Sequence, residues 1–587
     1  MKLISQFINT TLLRRIMSLV KPYKNKFYLA LIIAVIMAAL SIVNPQLIQK
    51  TVDDYILKNN LHMLWVMAGL ILLSLIIQAT LSYQFTFSTN QLGQNIIKDL
   101  RLKVFNHLLK LNLRYFDKTP IGTSTTRTIS DVEAINDIFS EGIITIFSDL
   151  LTIIAVLGIM FYNSWQLTLI SLTVLPLLLI AAYVFKEGIR KTFTEVRNQV
   201  ARLNTFMQEH ISGMLVVQVF NAEESEMKKF EEINAAHRGA HIKSNWYYSI
   251  FFPVVEIISA LALGLLLWLW GKEFIQQQAT VGLLVSFIMY INMLFRPIRM
   301  LADKFNTLQM GMVASERVFK VIDTNEIIQD NGTDDASSIN GSIKFQDVSF
   351  SYDGINQVLK KVNFHVNAGQ TLAIVGATGA GKTSIISLLN RLYEINEGEI
   401  LVDDKNVRQY NLDSLRRQIG LVMQDVFLFS GTVFENITLM EKHISKEMVE
   451  KAAKICGAHE FIIQLPGQYE YKVMERGSTL SMGQRQLISF VRAMVFNPKI
   501  LVLDEATASI DSNTETLIQL AIEKLVSNRT SIIIAHRLST ILHADQIMVM
   551  HKGEVKEMGT HQELLSLNAY YRKLYDMQFE AAESVKN

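Results

Sequence analysis

Residues Gly376–Thr383 read Gly-Ala-Thr-Gly-Ala-Gly-Lys-Thr, between the apolar run Thr371-Leu-Ala-Ile-Val375 and the segment Ser384-Ile-Ile-Ser-Leu-Leu-Asn-Arg391. The pattern is G-x-x-x-x-G-K-[ST], the Walker A loop. Its flanks predict a buried strand before it and a helix after it, and that context gives the motif a mechanism. Glycines let the backbone wrap an anion, and the N–H groups opening the helix point at it. Gly376, Thr378, Gly379, Ala380, Gly381, Lys382, Thr383 and Ser384 are therefore expected to cradle the phosphates of a nucleoside triphosphate. Lys382 reaches the β- and γ-phosphates, and the Thr383 hydroxyl holds Mg2+. The competing reading, a glycine-rich turn, does not account for this strand and helix.

A chain of 587 residues exceeds one ordinary domain. Half of it is hydrophobic and its net charge is +2, which gives no signal for nucleic acid. Mean hydropathy is positive, +0.24, unusual for a soluble protein of this size. The single cysteine, Cys456, excludes an intrachain disulfide and reads as a small buried apolar side chain.

The apolar content is concentrated before about residue 302. Six stretches have spanning length, near Phe27–Leu47, Leu64–Phe85, Phe139–Tyr162, Leu167–Phe185, Tyr248–Trp270 and Val281–Leu301. Roughly 20 apolar residues cross the ~30 Å of hydrocarbon. A cleaved signal peptide is not expected, because the first stretch is long and lacks a small-residue cleavage site. The N-terminal segment and the two long connections, about 87–138 and 189–246, carry about 21 Lys and Arg. The three short connections carry about 3. The asymmetry places both termini and the long connections in the cytoplasm. Trp65, Trp165, Trp268 and Trp270 fall near proposed membrane edges, as interfacial anchors do. Ile4–Val20 reads as an amphipathic helix along the cytoplasmic interface. Asp330–Gly341, rich in Asp, Asn, Ser and Gly, reads as a linker.

A second constellation follows. Lys499-Ile-Leu-Val-Leu-Asp504-Glu505 is an apolar strand ending in two acids, the Walker B pattern. Asp504 would hold Mg2+ and Glu505 would polarise the attacking water. About 20 residues earlier lies Leu480-Ser-Met-Gly-Gln-Arg-Gln486. At this point the chain resembles an ABC transporter, whose signature is L-S-G-G-Q. The resemblance implies a set of roles. Gln424, in Val422-Met-Gln-Asp425, matches the glutamine that contacts Mg2+ and senses the γ-phosphate. His536, in Ile533-Ile-Ala-His-Arg537, matches the switch histidine. Asp511 matches the D-loop acid, and Tyr352, in Ser349-Phe-Ser-Tyr352, the aromatic that stacks on adenine. Each mark alone is weak. A lone histidine after a strand is more often a hydrogen-bonded core residue, and a lone tyrosine on an alternating strand is usually packing. Their order over residues 342–575 is specific.

The resemblance extends to the first half. Six spans followed by one nucleotide domain is the half-transporter layout of the exporter branch. Arg114–Gly122, with Arg127 and Asp131, is similar to the first cytoplasmic coupling segment of that branch. Val219–Glu226 resembles the second, and Glu475-Arg-Gly477 the loop that meets them. The implied fold is an α-helical transmembrane domain of six long helices followed by an α/β P-loop NTPase domain. Its divisions are an interfacial helix at 1–26, the transmembrane domain at 27–325, a linker at 326–341 and the nucleotide-binding domain at 342–587.

In the family the signature closes over the nucleotide held by the opposite subunit. Ser481, Gly483, Gln484 and Asp511 are then expected to act in trans, and the chain needs a second half-transporter. The third signature position is Met482 where the consensus has glycine. A homodimer is favoured over a heterodimer that supplies a consensus signature. The implied activity is ATP-driven export of small hydrophobic or amphipathic molecules across the cell membrane, multidrug-type. Lipid flipping and short-peptide export stay open, as does a non-transporting ABC protein such as an ATP-gated channel. Asp149 and Glu256 are candidate cavity carboxylates, and Arg296 sits late in span six. The competing reading for all three is a structural pair between helices.

Overall fold

The computed structural model describes residues 10–276, 279–504, 512–535 and 541–576. The chain forms two units. The first covers residues up to Leu109 together with Ile121–Thr324. The second holds Lys110–Pro120 and the residues from Asn325 onward.

Among its described residues the first unit is built of helices. Helix α1 is Thr10–Ser18. Long apolar helical runs follow: α2 (Lys21–Ile56), α3 (Leu61–Leu108), then α5 (Ile121–Asn163), α6 (Trp165–Ser212) and α7 (Glu223–Ile275). Between α3 and α5 lies the short α4 (Leu113–Lys118), which belongs to the second unit. Helix α8 (Val281–Ile322) opens with a shorter apolar stretch, Val281–Pro297. At ~1.5 Å per residue, the 53 residues of α7 extend far beyond the ~30 Å of a hydrocarbon core. Side chains start the helices where the sequence demands it. The Asn60 side chain accepts from Met63 N–H at 3.2 Å and opens α3, and Thr280 does the same for Leu283 at α8.

Two apolar clusters hold this unit. One gathers Ile16 and Val20, Ile33 of α2, Ile96 and Leu100 of α3, Ile135 of α5 and Phe319 of α8. Helix α1 is therefore packed on other helices through a fully buried Ile16. Its Arg15 makes two 2.6 Å hydrogen bonds to the Asp323 carboxylate and lies 4.1 Å from the Phe319 ring centroid. That guanidinium holds the Asp323 carboxyl below its ordinary range. The second cluster joins α5, α6, α7 and α8 through Val156, Leu178, Phe251, Leu266 and Phe287. Leu72, Leu73, Ile76 and Tyr83 on α3 stay exposed, as surfaces bound for lipid or another helix do.

Of the membrane-half charges, Asp149 is ion-paired with Lys304. This is the structural pair that competed with a cavity role. Glu256 and Arg296 are exposed.

Helices α6 and α7 form a hairpin whose turn carries the short helix Met214–Val219. His210 near that turn faces two acceptors: the Phe206 carbonyl 2.8 Å from Nδ1 and the Glu226 carboxylate 2.7 Å from Nε2. Only the imidazolium can donate to both. Lys229 shares Glu226 at 2.7 Å, and the carboxylate first, then the carbonyl, push the His210 pKa up.

Among the described residues the second unit has two large sheets and a small two-stranded one that pairs Gly431–Thr432 with Lys472–Val473. The antiparallel large sheet is built from β1 (Ile343–Phe350), β2 (Leu359–Val366) and β4 (Glu397–Val402), in the order β2-β1-β4, with a short strand at Lys405–Asn406 beyond β4. The other contains β3 (Thr371–Val375), β5 (Ile419–Val422), β6 (Ile500–Asp504), β7 (Thr530–Ile534), β8 (Gln546–His551) and β9 (Glu554–Gly559). Its order is β9-β8-β3-β7-β6-β5. All pairs are parallel except β8–β9. Every residue of β3 and β7 is buried, which is why both read as continuous apolar runs. The expected linker is packed onto this unit. Ala336 and Ile339 are buried, and Asp403 accepts from the N–H groups of Asn340, Gly341 and Ser342.

Two outcomes test this description. Asp149→Asn leaves Lys304 charged and unpaired, and should lower stability by about 1–3 kcal/mol. Thermal unfolding in detergent reads the change, and an Asp149→Asn/Lys304→Met double variant should recover most of it. The His210 pKa is raised on folding, so its contribution is complete below the ordinary histidine value of ~6.5 and fades as pH climbs through the raised one. Amide exchange across 213–222, corrected for intrinsic rates, should be slower at low pH than at high pH. His210→Gln should remove that difference.

Candidate functional site

The site is assembled where β3, β7 and β6 end. Ile534 of β7 pairs with Ile374 of β3 on one side and with Asp504 of β6 on the other. The parallel register brings three carboxyl ends level, and open α/β sheets place ligands beyond such ends. After β3 the chain runs through Gly376–Gly381 into α9 (Lys382–Leu389).

The loop's shape depends on glycine at defined points. Gly381 caps α9 with φ +101°, and a Cβ there would lie 2.7 Å from the Leu359 side chain. At Gly376 a Cβ would lie 2.3 Å from the Met550 carbonyl oxygen. Ala380 is buried between these approaches, whereas Thr378 and Gly379 are exposed. Ser384 is buried and the Thr383 side chain lies on the exposed side of α9.

Lys382 is 8% exposed. Its Nζ donates to the carbonyls of Gly376 at 2.7 Å and Ala377 at 3.1 Å, so the ammonium is held inside its own loop. Desolvation pushes its pKa down, and the Asp504 carboxylate partly opposes this. A buried cation, a hydroxyl at the helix start and a carboxylate at the neighbouring strand end suit a triphosphate with a hard divalent cation. The residues present fit that group.

Tyr352 follows β1. Its hydroxyl lies 3.0 Å from Ser384 Oγ, which fixes the ring beside the start of α9. Its ring packs edge-on against Phe350 and Tyr393. Gln424 follows β5, the neighbour of β6, and is exposed.

The signature residues sit elsewhere in the unit. Ser481 caps α10 (Met482–Phe496). Its hydroxyl accepts from Gln484 N–H at 3.2 Å, and Gln484 Oε1 accepts from Ser481 N–H at 3.0 Å. This reciprocal box leaves the N-terminus of a 15-residue helix exposed. Gly483 is buried in its first turn. Helix α10 packs in a different apolar cluster from α9. Met482 is the first helical residue and is 38% exposed. It has no positive φ, so replacing the consensus glycine costs the backbone nothing. The substitution alters what can approach this helix end. Arg485 ties the helix to the preceding loop through the carbonyls of Arg476 and Gly477, both at 3.4 Å. Glu505, Asp511 and His536 lie outside the described residues.

Two contacts had no sequence signal. Tyr393 hydrogen-bonds Asp117 of α4, and Asn112 N–H donates to the Glu326 carbonyl at 2.8 Å.

Comparison with known proteins follows the same division. Residues 27–298 match the family described as the ABC transporter transmembrane region. Residues 359–508 match the ABC transporter family. The chain is 38% identical to the putative ABC transporter ATP-binding protein exp8 of Streptococcus pneumoniae, covering 97% of each. It is 36% identical to the putative multidrug export ATP-binding/permease protein YgaD of Bacillus subtilis, over 96% of this chain and 99% of that protein. Identity to an ATP-dependent lipid A-core flippase of Syntrophus aciditrophicus is 34%, over 97% and 94%. Among solved structures, a bacterial Atm1-family ABC exporter with ATP bound superposes with a TM-score of 0.79 at 28% identity, covering 95% of this chain and 98% of that one.

Replacing Lys382 with Ala should weaken binding of a fluorescent ATP analogue at least ~10-fold, since a charge-assisted contact to phosphate is lost. An unchanged affinity would contradict the cradle assigned to this loop.

Proposed function

Starting from the fact that this chain belongs to the ABC transporter family and has its exporter half-transporter fold, we propose that it uses ATP to export hydrophobic or amphipathic small molecules. The observation that carries this reading is one chain holding both a buried Walker lysine and a set of membrane-spanning helices. Lys382 and the loop N–H groups would bind the β- and γ-phosphates, and Tyr352 would stack on adenine. Thr383, Asp504 and Gln424 would hold Mg2+, which neutralises charge on the phosphates when bound. Glu505 would orient and deprotonate the attacking water, with His536 beside the γ-phosphate.

A second half-transporter completes the assembly. Ser481, Gly483 and the exposed start of α10 would close over the partner's nucleotide, with Gln484 and Asp511 at that junction. The turn of the α6–α7 hairpin supports such pairing. Leu215 and Phe220 there are 74% and 76% exposed, an apolar tip suited to cover by another unit. Closed two-fold symmetry favours a homodimer, while Met482 keeps a heterodimer with a consensus signature as the alternative. Lys and Arg placement supports cytoplasmic termini and nucleotide units. Closure of the nucleotide units would shift the spans from inward- to outward-facing, with hydrolysis resetting them.

Cargo is proposed as multidrug-type. Lipid translocation is the second reading, supported by a relative of comparable identity and coverage that is named a flippase. The exposed Glu256 suits a cationic amphiphile.

The test is ATPase activity of the chain expressed alone, purified into lipid nanodiscs, across a panel of cationic dyes and phospholipids. Stimulation by at least one member is expected. Glu505→Gln should keep ATP binding and nearly abolish turnover, by ~100-fold or more. Wild-type rates in that variant would overturn the role given to Glu505. Absence of activity until a second, different half-transporter is added would replace the homodimer with the heterodimer.

A further inference from the structure

The residues from Ser384 to Asp117 make a continuous line of contacts inside the second unit. Ser384 Oγ, in the first turn of α9, hydrogen-bonds the Tyr352 hydroxyl at 3.0 Å. The Tyr352 ring meets the Tyr393 ring edge-to-face, with centroids 5.0 Å apart at 90°. The Tyr393 hydroxyl donates to the Asp117 carboxylate on α4. Tyr393 is only 8% exposed, so it cannot swing away freely. Burial first, and then Asp117, push the phenol pKa well up, which keeps the proton that the bond needs.

Helix α4 is otherwise seated by its neighbours. Tyr115 is buried, Leu111 pairs with Ile327, and Asn112 N–H is bonded to the Glu326 carbonyl. By chain connectivity this segment joins α3 directly to α5.

We propose that Tyr393 is a positioning residue that links occupancy of the Tyr352 platform to the segment Lys110–Pro120. This rests on the reading of Tyr352 as the base-stacking aromatic. A base stacked on the face of Tyr352 adds a second restraint to a ring that Ser384 already anchors at its hydroxyl. The restricted ring in turn fixes the edge contact with Tyr393 and the direction of its hydroxyl toward Asp117. A bound nucleotide then favours the seated form of α4. By linkage the seated form favours the nucleotide to the same degree.

The test uses the full chain in lipid nanodiscs, with amide exchange over residues 110–120 measured with and without a non-hydrolysable ATP analogue. In the wild type the analogue should slow exchange there several-fold. Tyr393→Phe keeps the ring against Tyr352 and removes only the hydroxyl, and Asp117→Asn removes the carboxylate charge. Each should erase the analogue-dependent difference while changing analogue affinity by less than about 3-fold. The double variant should match either single one, because both cut the same link.

A purely structural contact would instead raise exchange equally with and without the analogue and leave the difference intact; that result overturns the proposal. Analogue binding in the wild type without any change over 110–120 also overturns it and leaves the nucleotide-site reading standing. Failure of the wild type to bind the analogue removes the nucleotide-site reading itself.

Discussion

The level ending of β3, β7 and β6 is the constraint on which the second unit turns. Parallel pairing sets Ile374, Ile534 and Asp504 at one edge of the sheet. The chain leaving β3 must reverse at once into α9, and the close approaches at Gly376 and Gly381 leave no room for a side chain. The same reversal buries Lys382, and its own loop carbonyls and the nearby Asp504 carboxylate offset part of the lost hydration. A cation held at that expense, beside an array of N–H groups, is organised for an anion before one arrives.

The membrane half answers a different constraint. Its helices must satisfy their backbone internally, yet they need not bury all their apolar surface. Much of α3 accordingly faces outward, and the unit is held by two separate clusters rather than one core. Polar anchors sit at their margins. Arg15 on Asp323 fastens α1 to the end of α8. The Asp53 carboxylate, which accepts from Thr280 and from Gly282 N–H, fastens the other end. These anchors mark the ends of α8, the helix that runs from the sixth span to the linker.

Much of this was legible in the sequence, because periodicity and motif spacing are local. The continuous apolar runs at Thr371–Val375 and Ile500–Asp504 are strands buried on both faces, as read. The six apolar stretches lie on helices, and the sixth opens a helix that runs on to Ile322. The family resemblance and the fold class hold over nearly the whole chain. What sequence could not supply were pairings between distant residues. Asp149 meets Lys304 across 155 positions, and Tyr393 meets Asp117 across 276. Such pairs leave no period to detect. For the same reason Lys110–Pro120, which reads as part of a membrane-domain connection, belongs to the nucleotide unit.

The central claim is that nucleotide chemistry at Lys382 and movement of an amphiphile through the helical half are one process. Uptake of a fluorescent cationic amphiphile into inside-out membrane vesicles containing this chain measures that directly. The account predicts accumulation that requires hydrolysable ATP on the outside of the vesicle and disappears in the Lys382→Ala chain. Equal uptake with and without ATP, or an undiminished ATP-dependent uptake in that variant, would contradict it.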